Sequence, residues 1–180
     1  MPATSIREFS DTAVDPKVRG FLHTSDSPNG DGLILSHGAG SNATAPLLVA
    51  LAETFSANGF TVLRCDLPYR QSSMLCAENP DLVSGLLLLS YPLHPPRKPE
   101  RQRTQHLPDL RTPTLFVQGT RDPFATISEL ERTLKMIPSK TKLLTIEGAG
   151  HDLGFKGKTK REELLGRIFS EFTQLLDLSS

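Results

Sequence analysis

Three short segments hold residue types that can move a proton or receive a developing oxyanion: His37-Gly38-Ala39-Gly40, Gly119-Thr120-Arg121-Asp122 and Gly148-Ala149-Gly150-His151. A glycine-rich turn can aim backbone N–H groups at an oxyanion, a carboxylate can orient an imidazole, and the imidazole can act as a general base. Each segment follows an apolar run that reads as a buried strand, and ligands gather at the carboxyl ends of parallel strands. The acid precedes the histidine by 29 residues. Taken singly, a strand-end aspartate is commonly a cap and a histidine after glycine commonly a loop residue. Their joint order, beside an H-G-x-G turn, makes Asp122 the expected acid and His151 the expected base.

A nucleophile is harder to find. Ser72 and Ser73 open a short helix after the strand ending at Asp66, and their hydroxyls are the leading candidates, with an N-cap as the alternative role. Ser36 and Ser90 stand at strand ends and rank below them. The chain has 2 cysteines, Cys65 and Cys76, both in apolar segments. They are too few for a disulfide scaffold and read as small core residues in a reducing compartment.

These residues need a frame. Apolar runs alternate with helical patterns, which is the rhythm of an α/β protein. Strands are expected at 32–36, 61–65, 83–90, 114–117 and 142–146. The helix after the first strand starts at Pro46, carries Leu47, Leu48, Leu51 and Phe55 on one stripe, and stops at Gly59. A short helix runs from Ser72 or Ser73 to Glu78. Another carries Ile127, Leu130, Leu134 and Ile137. The last, about 160–176, has Leu164, Leu165, Ile168, Phe169, Phe172, Leu175 and Leu176 on one face. Residues 92–108 break the rhythm: they are rich in proline and carry Arg97, Lys98, Arg101 and Arg103, and they read as a solvated loop, partly polyproline II. With His94 and His106 that loop could instead meet an anion or a partner.

Composition narrows the function further. At 180 residues the chain suits one domain, 1–180, with its core over about 30–177. With 20 basic and 20 acidic side chains the net charge is +0, which gives no field to hold nucleic acid. The apolar stretch around Leu82 to Leu89 is far shorter than the ~20 residues that span a bilayer. A soluble cytoplasmic protein without metal or cofactor is expected.

The stretches LILSHGAGSN, LLLLSYPLHPPRKP, PTLFVQGTRDPF and IEGAGHDL resemble the α/β-hydrolase-like family of testis-expressed and NSL-complex-subunit proteins, relatives of the dienelactone hydrolases. The likeness covers most of residues 30–155, and Ser90-Tyr91-Pro92-Leu93-His94-Pro95 is its most specific mark. It implies a mainly parallel sheet flanked by helices, Asp122 as acid, His151 as base, and the backbone of Gly38 and Ala39 in the oxyanion hole. One part departs. Family members carry a G-x-S-x-G nucleophile elbow on a central strand, whereas no such motif occurs in this sequence. Relative to the family a helix, a strand and the elbow, roughly forty residues, are expected to be missing after Gln71. The resemblance therefore implies a hydrolase lineage acting on esters or carbon bonds, with its acid–histidine pair retained, its serine absent and its activity weak or lost. The ligand would be a small ester-like molecule. The alternative is a non-catalytic protein that uses the fold to bind a partner.

Overall fold

The computed structural model describes residues 3–13, 17–37, 41–66, 72–155 and 158–178. The chain divides into two compact units, Met1–Arg70 and Gln71–Ser180.

The first unit holds a four-stranded sheet, in the order β1-β2-β4-β3, and one helix. β1 (Thr4–Asp11) and β2 (Val18–Ser25) form an antiparallel hairpin. β2 runs antiparallel to β4 (Thr61–Asp66), which pairs in parallel with β3 (Gly32–Ser36). The hairpin was not expected from the sequence: β1 exposes most of its side chains, Ile6 among them, so no apolar run marks it. α1 (Pro46–Ala57) has Pro46 in its first turn and buries Leu48, Leu51 and Phe55. Its end is where the sequence put it, with Gly59 at φ 92°, a conformation that glycine adopts without a Cβ clash.

A charged side chain lies inside this unit. Arg64 on β4 is buried; its Nε–H donates to His23 Nε2 over 2.8 Å, its Nη1–H donates to the Ala43 carbonyl, and its guanidinium lies 4.8 Å from the Phe21 ring centroid. His23 accepts that hydrogen bond, so the imidazole must be neutral. Burial, assisted by the Arg64 charge, lowers its pKa from an ordinary 6.5 to about 4. Between those values the unfolded chain binds a proton that the folded chain refuses, so stability falls as pH drops through this window. The expected loss is on the order of 3 kcal/mol. Urea unfolding at pH 7 and pH 4.5 measures it, and His23→Gln, which can still accept from Arg64, should flatten the pH dependence. An equal slope in both proteins would show that His23 is not its source.

The second unit is built on a parallel sheet, β5 (Leu86–Leu89), β6 (Thr114–Gly119) and β7 (Thr141–Ile146), in sequential order. All six residues of β6 are buried, as expected of a strand covered on both faces. Leu86, Phe116 and Leu130 belong to a core cluster that α2 (Ser72–Glu78), a 3-10 turn at Leu107–Asp109 and α3 (Ile127–Leu134) help to close. α4 (Lys158–Leu175) packs against β6 and β7 and buries Leu164, Leu165, Ile168, Phe172 and Leu175, the face read from the sequence. Thr126 caps α3 through a capping box with Glu129.

Two expectations need correction here. The strand read as 83–90 is only Leu86–Leu89, because Leu82 and Val83 are exposed and Ser90 leaves the strand in a left-handed conformation. The loop 92–108 is anchored rather than loosely solvated: Leu93 and Leu107 are fully buried, Arg103 N–H donates to Leu93 O, and the Tyr91 hydroxyl donates to Arg103 O. Its four basic side chains remain exposed, but His94 is buried against Pro95 O and Glu129 and takes no part in a basic surface.

Candidate active site

Two loops of the second unit are stitched together at the carboxyl end of its sheet. Arg121 N–H donates to Ala149 O at 2.8 Å, and Gly148 N–H donates to Thr120 Oγ1 at 2.8 Å. The loop after β6 presents Asp122 and the loop after β7 presents His151. Asp122 is buried; one carboxylate oxygen accepts Phe124 N–H and the other accepts His151 Nδ1–H, both over 2.9 Å. The Phe124 ring packs on the imidazole, with centroids 4.4 Å apart. The His151 side chain is 48% exposed while the Asp122 side chain is closed off completely. With Nδ1 protonated toward the acid, Nε2 keeps its lone pair, and among the described residues it has no hydrogen-bond partner. This is the tautomer and the exposure that a general base requires.

The other candidates fall elsewhere. Ser73 is buried in the first turn of α2, with its hydroxyl 3.0 Å from His106 Nε2. It is neither an N-cap nor a partner of His151. Burial pushes the Tyr91 phenol up to about 12 and lowers the His106 imidazole, so this inner group is neutral and ties α2 to the loop 92–108. The side chain of Ser72, and Gly38 and Ala39, lie outside the described residues. Asp66 Oδ1 accepts Ala43 N–H over 2.8 Å and lies 3.3 Å from His37 Nε2. Cys65 and Cys76 are buried free thiols, and burial raises both, Cys65 to about 11. That makes them poor nucleophiles.

Phe124, Thr120 and the Ser73–His106 pair carried no sequence signal, since each depends on a contact between distant segments. Among the described residues no group of three or more His, Cys, Asp or Glu side chains is placed to hold a metal, and no helix is long and apolar enough to cross a membrane.

An acid and a histidine on successive strand-end loops of a parallel sheet, with helices on both faces, define an α/β-hydrolase fold. A family model described as the alpha/beta hydrolase domain matches residues 70–175, and the chain belongs to that family. Solved structures agree on the fold. A dienelactone hydrolase from Anabaena variabilis matches with a TM-score of 0.73 at 19% identity, over 95% of this chain and 97% of that one. A predicted CIB-like hydrolase from Thermoplasma acidophilum matches with 0.66 at 18% identity, over 98% and 100%. The Pyrococcus furiosus esterase Pf2001 matches with 0.70 at 13% identity, over 94% and 90%.

Proposed function

We propose that this protein is a slow acyl hydrolase of the dienelactone-hydrolase lineage, of the testis-expressed and NSL-complex-subunit type, whose acid–base pair is assembled while its elbow serine is missing. The carrying observation is the 2.9 Å Asp122–His151 hydrogen bond, with Nε2 left unpartnered among the described residues. The subtype rests on the Ser90-Tyr91-Pro92-Leu93-His94-Pro95 segment. The protein acts in the cytoplasm on a small ester-like molecule. His151 takes a proton from the attacking group, and Asp122 stabilises the imidazolium that results. Without an elbow nucleophile the remaining groups provide on the order of 10³ to 10⁴ over water.

Hydrolysis of p-nitrophenyl acetate tests this reading. His151→Ala should remove at least ~10-fold of the rate, and Asp122→Asn should lower the rate with little change in KM. A folded His151→Ala protein that hydrolyses as fast as its parent would overturn the enzyme reading. The partner-binding alternative would then stand on a specific feature: β3 is the last strand of its sheet, and Ile34 on it is 63% exposed.

A further inference from the structure

Phe124 touches both members of the acid–base pair. Its backbone N–H donates to one Asp122 carboxylate oxygen over 2.9 Å, and its ring lies 4.4 Å from the His151 ring, centroid to centroid, with the planes tilted by 40°. Its carbonyl is held from another side, accepting His94 N–H over 3.1 Å. The His94 imidazole is buried and faces two acceptors, Pro95 O at 2.9 Å and Glu129 Oε2 at 3.4 Å, so the segment that supplies this N–H is itself tied to α3. One residue further on, Ala125 is buried in the core cluster, and Thr126 caps α3. The backbone of Phe124 is thus fixed from both sides. Its ring, by contrast, is only partly buried and stands outside the core cluster.

The imidazole needs such a support. Among the described residues the His151 side chain makes one hydrogen bond, from Nδ1 to Asp122, and 48% of it is exposed. A single hydrogen bond sets a distance and leaves the ring free to pivot about it. A flat ring against the imidazole restricts that pivot and holds Nε2 in one place. The π face is also electron-rich, so it favours the imidazolium that forms when His151 takes a proton. Support that strengthens as the charge develops acts on kcat rather than on substrate binding.

The geometry points to Phe124 as a positioning residue of the Asp122–His151 pair, its N–H fixing the carboxylate and its ring fixing the imidazole. This rests on the hydrolase reading above. The aromatic face, and not bulk alone, is what the imidazole uses, so tyrosine can stand in for Phe124 and leucine cannot.

Two measurements on the whole chain test this: the His151 ring-proton resonances, assigned by their loss in His151→Ala, and the steady-state hydrolysis of p-nitrophenyl acetate. Thermal melts first show that Phe124→Leu and Phe124→Tyr are folded. In Phe124→Leu the His151 resonances should move downfield, toward those of an unstacked imidazole, and kcat should fall at least ~10-fold with KM unchanged. Phe124→Tyr should restore both. A folded Phe124→Leu protein with the resonances and kcat of its parent overturns the proposal, as does a loss confined to KM. If hydrolysis depends on His151 but not on Phe124, the positioning role falls and the hydrolase reading stands. If hydrolysis does not depend on His151, the hydrolase reading falls and the positioning role falls with it.

Discussion

Inserting a family-type strand and G-x-S-x-G turn between Gln71 and Ser72 should raise ester hydrolysis at least ~10³-fold over the unaltered chain. Triad groups act as a unit, and deleting the nucleophile alone removes most of the rate that all three supply. Here Asp122 and His151 already meet over 2.9 Å, the carboxylate buried and the imidazole half exposed. β3 and β5 are each the last member of their own sheet. The gain should vanish with His151→Ala in the grafted chain and fall sharply with Asp122→Asn. A grafted protein that folds cooperatively and stays inactive would show that the pair is only a structural remnant.

The second large effect is expected from one methyl group. A Cβ on Gly119 would lie 2.3 Å from Ala149 O and 2.5 Å from Gly150 O, well inside contact distance and against backbone that cannot rotate away. Gly119→Ala must therefore push the 148–151 loop off the end of β6. Arg121 N–H would lose Ala149 O, and His151 would be drawn away from Asp122. Overpacking of this kind costs about 3 kcal/mol or more, a large share of the roughly 5–15 kcal/mol that holds a domain folded. A displacement near 1 Å costs about 10²-fold in rate, best read in the elbow graft, where activity is high. Gly166→Ala is the control, since a Cβ there meets nothing within reach and a mid-helix alanine should stabilise by roughly 0.5–1 kcal/mol. If Gly119→Ala melts and turns over like its parent, the close approach of the two loops is not what aligns the pair.

Much of this fold can be read in one dimension. The run ending at Val117 is apolar because its strand is buried throughout, whereas the strands ending at Ser36 and Ile146 bury only Leu35 and Leu144, and the stripes of α1 and α4 repeat at helical spacing because one face of each meets a sheet. β1 is different: its side chains are mostly exposed, so its existence depends on hydrogen bonds to β2 that leave no mark on composition. The N-terminal hairpin was missed for that reason, and it adds antiparallel pairs to an otherwise parallel plan.

The site divides the same way. Asp122 and His151 were legible because each follows a strand at a glycine-containing turn, and the parallel pairing of β6 with β7 brings those strand ends together. Sequence order alone thus determined the fold class, the pairing of Asp122 with His151 and the absence of a G-x-S-x-G motif. What each remaining side chain touches was decided only in three dimensions. Ser73 looks free beside Ser72 until the chain folds His106, 33 residues away, against it. His94 looks like part of a basic loop until Leu93 and Leu107 draw that loop into the core. Ser90 reads as an ordinary strand-end serine until the fold gives it a left-handed φ and buries its side chain. The physical reason is range. Burial and periodicity act on neighbours in sequence and leave a local pattern, whereas hydrogen-bond partners and backbone strain are set by packing between segments far apart in the chain.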